Sequence, residues 1–201
     1  MKISKPSSIL LAASFASLLG LAAVGAQAQD KPHAPGHAGM ADKSVMSSKS
    51  LSDDDRQFMI KAAANGLFEI EVSKMAAKKA GSAEVKRYAA MMVKDHTAAS
   101  EELTTIAVSK PLRLPRDMAD GKKAELKLFA KASPAEFDKK YVEMVGLEDH
   151  RADIKLFEEQ IERGKDPEVK AYATKVLAKM RMHLAAAKKL ASSGTTSAAA
   201  K

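Results

Sequence analysis

The chain has 201 residues, 46% hydrophobic, 29% charged and 4% aromatic, with no cysteine, no tryptophan and a formal net charge of +8. The lack of cysteine excludes disulfide scaffolds, thiolate zinc sites, iron–sulfur clusters and thiol nucleophiles. Ten glycines and seven prolines, against abundant Ala, Lys, Glu and Met, favour helices over a β-sandwich.

The first segment reads as a leader. Lys2 and Lys5 precede the apolar run from Ile9 to Val24, and Ala26-Gln27-Ala28 has the small-x-small pattern of signal-peptidase cleavage. Residues 1–28 are therefore expected to be a signal peptide, and the mature protein to be periplasmic or secreted. No later run approaches the ~20 apolar residues of a membrane-spanning helix, so at most peripheral membrane association is expected. The net charge of +8, less the two leader lysines, becomes +6. Those positive charges are interspersed among 25 acidic residues with few aromatics, which argues against nucleic acid as a partner. Weak attraction to anionic lipid or polysaccharide is the physical consequence of such a charge, and a well-solvated surface is the simpler one.

Residues 29–51 mix Pro, Gly, Ser, His and Met without apolar periodicity and read as a flexible tail. His33, His37, Met40 and Met46 within it are soft donors of the kind that take copper, on a segment that fixes no geometry. Residues 192–201 form a Ser/Thr/Ala tract expected to be a disordered C-terminal tail, which leaves 52–191 for the folded domain.

Four long helices fill that domain. Ser52 followed by Asp53, Asp54 and Asp55 is an N-cap with acids in the first turn. This helix is predicted to reach about Ala80, with Gly81 as a positive-φ C′ residue. Ser82 caps a second helix that runs to Ser109 before Lys110-Pro111 stops it. Ser133-Pro134-Ala135-Glu136 is an N-cap with Pro at N1 and a capping-box Glu, opening a third helix that ends at Gly164. Asp166-Pro167-Glu168 opens the fourth in the same way. Two short hairpin joints and one long connection, with a short helix near Lys122 to Ala130, predict an all-α antiparallel four-helix bundle.

Each helix carries an apolar stripe with a titratable interruption. The stripes run through Phe58, Asn65, Glu69 and Val72; through Tyr88, Met92, His96 and Leu103; through Leu147, His150 and Phe157; and through Val176, Met180, His183 and Ala187. Counted from the hairpin joints, Glu69 and His96 differ in height by ~4.5 Å, as do His150 and His183, at ~1.5 Å rise per residue. Glu69, His96, His150 and His183 thus meet near mid-bundle, with Glu143 as a further candidate one turn before Leu147. Bundles build metal sites from inward Glu and His, because buried imidazole and carboxylate are costly unless paired or bound to a cation. The same residues also fit a buried polar network that fixes helix register. The di-iron Glu-x-x-His signature is absent, so a metal site of this composition leans to copper or zinc over iron. The methionines, Met59, Met92, Met180 and Met182 among them, read as core filler. No phosphate loop or nucleophile elbow supports an enzyme, and no catalytic residue is assigned.

The segments Gly66-Leu67-Phe68-Glu69-Ile70-Glu71, Met92-Val93-Lys94-Asp95-His96, Phe137-Asp138-Lys139-Lys140-Tyr141, Leu156-Phe157-Glu158 and His183-Leu184 carry a resemblance. Together they are similar to an exported bacterial family called domain of unknown function four-one-four-two. The resemblance implies a ferritin-like bundle of the putative membrane or outer-membrane class, with no established activity, substrate or cofactor. The membrane label conflicts with a chain whose one long apolar run is its leader. Two functions follow from the residues. One is a structural or interaction role in the cell envelope, with an unidentified envelope protein as partner. The alternative is a bundle that binds a transition-metal ion (copper, zinc or iron) through Glu69, His96, His150 and His183, with His33 and His37 as weaker donors.

Overall fold

The acids behind Ser52 do what their positions require: the Ser52 hydroxyl accepts from the Asp55 backbone N–H and opens α1 (Asp53–Lys79). Ser82 opens α2 (Ala83–Ser109) by accepting from the N–H groups of Glu84 and Val85. The connection that follows carries α3 (Asp120–Lys131). Ser133 and Glu136 form the full capping box that starts α4 (Pro134–Lys140). Residues 134–163 then continue without a break from α4 through a π-helical stretch, Tyr141–Asp149, into α5 (His150–Arg163). Asp166 caps α6 (Pro167–Ser192), with Pro167 in its first turn. The computed structural model describes residues 51–194, which are helical with no strand among them. The expected signal peptide, the tail with His33 and His37, and the last residues lie outside the described residues. No helix among the described residues is long and apolar enough to cross a membrane.

α1 packs along α2 and α5 along α6, while α2 meets α6, α1 meets α5, and α3 lies against α1. The two hairpins repeat one segment. Glu84-Val85-Lys86-Arg87-Tyr88-Ala89 opens α2, and Glu168-Val169-Lys170-Ala171-Tyr172-Ala173 opens α6, with Val, Tyr and Ala buried in both. Each hairpin also ties down the turn of the other. The Asp138 carboxylate accepts from the Gly81 and Ser82 N–H groups at 3.0 and 2.7 Å. The Asp55 carboxylate accepts from the N–H groups of Lys165 and Asp166 and from the Gln160 amide.

These side-chain caps explain a departure from expectation at Gly81. Among the described glycines only Gly194 has positive φ, so α1 does not end in a left-handed glycine. Ala80 leaves the helix in extended backbone instead, and Asp138 satisfies the amides that follow it. Gly164 is required by proximity, because a Cβ there would strike Gln160.

The core has two apolar halves. Phe58, Met59, Leu103, Phe157 and Tyr172 fill one, and Phe68, Val72, Phe129, Phe137 and Tyr141 the other. Along α2, the π-helical stretch with α5, and α6 the change from one half to the other falls at His96, His150 and His183, and along α1 it falls between Ala63 and Phe68, just before Glu69. Met59, Met92 and Met180 are core filler as expected, whereas Met182 is exposed.

Candidate metal centre

The four interruptions of the apolar stripes converge, none of them more than 5% exposed. α2 supplies His96, α5 supplies His150 as its first residue, α6 supplies His183, and α1 supplies Glu69. One ring nitrogen from each histidine lies within 4.8 Å of the other two. The ring centroids are 5.3–5.6 Å apart.

The outward nitrogen of each ring has its own acceptor. His96 Nδ1 lies 2.9 Å from Glu69 Oε2. His150 Nδ1 lies 2.8 Å from the Val145 carbonyl oxygen, with Glu69 Oε1 at 3.5 Å. His183 Nε2 lies 3.0 Å from Asp95 Oδ2. The Val145 carbonyl and the ionised carboxylates of Asp95 and Glu69 can only accept, so with Glu69 ionised the proton of each neutral ring sits on that outward nitrogen. The inward nitrogens, His96 Nε2, His150 Nε2 and His183 Nδ1, then carry lone pairs. His150 Nε2 and His183 Nδ1 are 3.3 Å apart. Two nitrogens bound to one tetrahedral ion at ~2.0–2.1 Å are separated by about 3.3–3.4 Å.

Burial keeps these rings neutral. It pushes His96 down to about 4, and it holds His150 and His183 below the usual imidazole range despite the nearby Glu69 and Asp95. Asp95 moves the other way from an ordinary buried acid. Although burial raises it, the hydrogen bond from His183 and the charge of Lys179 keep it ionised. Glu69 is pushed up to about 7 by desolvation.

Two further carboxylates belong to this layer and were not singled out from the sequence. Asp153, one turn after His150, is buried and accepts from the Asn65 amide at 2.6 Å. Desolvation, with Glu69 adding to it, pushes Asp153 up to about 8. The signals were present: Asn65 interrupts the stripe of α1 just as Glu69 does, and His150-x-x-Asp153 puts both groups on one face. Asp95 carried no such signal, because its partner is on another helix. Asp149, the other acid beside a histidine, pairs with Lys122 of α3 at 2.8 Å.

Glu143 does not join the site. It is exposed, and the reason is the π-helical stretch, whose wider turn breaks the 3.6-residue register. Tyr141, Val145 and Gly146 turn inward there, and Leu147 is half-buried. The same stretch aims the Val145 carbonyl at the His150 side chain five residues on.

The donor set is therefore three neutral imidazoles, each oriented by an acceptor, which suits the borderline-soft ions of the copper and zinc type. Two buried atoms of the layer, His96 Nε2 and Glu69 Oε1, have no hydrogen-bond partner. A purely structural network would leave each of them at a cost of roughly 1–3 kcal/mol. A cation among the inward nitrogens would supply the missing partner for His96.

Comparison with known proteins gives one result. No curated protein and no solved structure matches this chain. The family model described as Domain of unknown function (DUF4142) matches residues 40–190, most of the chain, and the protein belongs to that family.

Proposed function

We propose that this protein is an exported metal-binding helical bundle that holds one divalent ion of the zinc or copper type through His96, His150 and His183. Glu69, the Val145 carbonyl and Asp95 fix the ring that each ligand presents. One observation carries the reading: each imidazole has one nitrogen engaged by a separate acceptor, and a ring nitrogen from each of the three lies within 4.8 Å of the other two. Lone pairs facing at 3.3 Å repel unless a cation lies between them. Glu69 thus acts beside the ligands rather than as one of them.

The pairing of α1 with α2 and of α5 with α6, closed by α2 on α6 and α1 on α5, supports an antiparallel four-helix bundle of ferritin-like type. The leader pattern of residues 1–28 supports export to the periplasm.

The test is metal content and calorimetry on full-length protein carrying His33→Ala and His37→Ala, which removes the tail imidazoles. Near-stoichiometric zinc or copper, lost on His96→Ala and on His183→Ala, is the expected result. Binding should raise the melting temperature, with about 2.7 kcal/mol gained at a hundredfold excess over Kd. No ion bound, together with destabilisation by both substitutions in metal-free buffer, would overturn the reading and leave the structural or envelope-interaction role.

A further inference from the structure

We infer that the remaining coordination position of the His96/His150/His183 ion opens into the cavity between α2 and α6 and takes a small anion from outside. This rests on the metal site proposed above and goes beyond it by assigning an external ligand.

Three nitrogen ligands leave a tetrahedral ion one position short, the arrangement of sites that exchange a ligand rather than of closed structural ones. Among the described residues no fourth His, Asp or Glu joins the converging group. The cavity beside it has a volume of about 100 Å³, and its walls include His96, His183, Ala99, Val176 and Met180. About 10–15 Å³ of such space holds one water, so the cavity has room for hydroxide or a three-atom anion. His150 does not line the cavity. It is fully buried and closes the inner side of the triad, so His96 and His183 face the entrance.

Ala99, Val176 and Met180 form the apolar wall, and the carboxylates of Asp95 and Glu102 that also line the cavity are each engaged by a lysine, so an anion is held by the ion itself. Lys175 and Lys179 stand at the rim, both more than half exposed. They reach across from α6 to Glu102 and Asp95 of α2, at 2.8 and 3.4 Å. These pairs offset one another at the mouth, so the attraction for an approaching anion comes from the cationic centre. The cavity on the opposite side of His96 is smaller. It holds only about 20 Å³, room for about one water, and its other walls include Glu69 and Asp153.

Cobalt(II) and azide test this. Full-length protein with His33→Ala and His37→Ala, loaded with one cobalt(II) ion, should show visible d–d bands that shift and saturate on azide titration, with cobalt retained after dialysis. Ala99→Phe, which fills the cavity one turn beyond His96, should keep the cobalt and weaken azide by at least about tenfold. Ala98→Phe at the exposed rim is the second obstructing variant, should Ala99→Phe fail to fold. Cobalt bound but bands unmoved by azide would overturn the open position while leaving the metal site intact. Unchanged azide affinity in the obstructed variant would overturn the α2/α6 route. Failure to bind cobalt at all would remove the metal site and this inference with it.

Discussion

Asp95 of α2 and His183 of α6 meet at 3.0 Å, Oδ2 to Nε2, across two helices that are far apart in sequence. The contact sets a tautomer. With the proton held toward Asp95, the His183 Nδ1 lone pair turns to His150 and His96. Asp95→Ala should therefore lower metal affinity by roughly 10–100-fold, the usual effect of removing such a partner. Asp95 is half-buried at the rim, so the fold should survive. Calorimetric titration of variant and parent decides it, and equal affinities would sink the orienting role.

Acid should release the ion later than ordinary imidazole chemistry suggests. Burial depresses all three histidines, His96 to about 4, so the native rings stay neutral below the usual value of 6.5. Protons compete with metal only where the ring accepts them. Half-release is expected well below pH 6.5, read from metal-dependent melting between pH 4 and 7. Release centred at or above 6.5 would contradict the buried triad.

Asp153 gives the opposite pH dependence. Its native pKa, raised by desolvation to about 8, lies above the ordinary 3.8. Between those values the unfolded chain ionises where the native one cannot, so this group costs increasing stability as pH rises through that window. Asp153→Asn keeps an acceptor for Asn65 and removes the titration. The metal-free variant should gain on the wild type by roughly 2–4 kcal/mol from pH 5 to pH 8. Urea unfolding at the two pH values measures it, and a gap that does not widen would refute it.

Two helical glycines should answer alanine with opposite signs. A Cβ at Gly146 would sit 2.8 Å from the Ala187 Cβ and 3.4 Å from the Tyr88 hydroxyl, with α6 unable to retreat freely. Gly146→Ala should cost roughly 1–3 kcal/mol through overpacking. At Gly66 a Cβ meets nothing within 4 Å, so Gly66→Ala should stabilise by about 0.5–1 kcal/mol from helix propensity alone. Melting temperatures of both variants are sufficient.

Asp55, fully buried at the start of α1, should prove far more sensitive than its neighbour Asp54. Asp55→Ala strands two backbone amides and the buried Gln160 amide at the α5–α6 turn. A loss of at least about 1–3 kcal/mol is expected, whereas Asp54→Ala beside it should change little. Equal effects of the two would remove the case for cross-hairpin capping.

The helices, their ends and the inward set of Glu69, His96, His150 and His183 were legible in the sequence because local rules govern them. Ser52, Ser82, Ser133 and Asp166 cap within their own turns, and a 3.6-residue period assigns a face without knowledge of the neighbour. The repeated Glu-Val-Lys-x-Tyr-Ala that opens α2 and α6 was equally local and went unread. What only the tertiary structure decided are the pairings between helices and the one place where the period changes. Asp95 and Asp138 act on other elements, and nothing in their own helices announces the partner. The π-helical stretch turned Glu143 out and the Val145 carbonyl toward His150, because a wider turn rotates every residue before it relative to the α-helical count. Which nitrogen of each histidine faces inward was settled by acceptors on three different segments, a choice that exists only once the helices have packed.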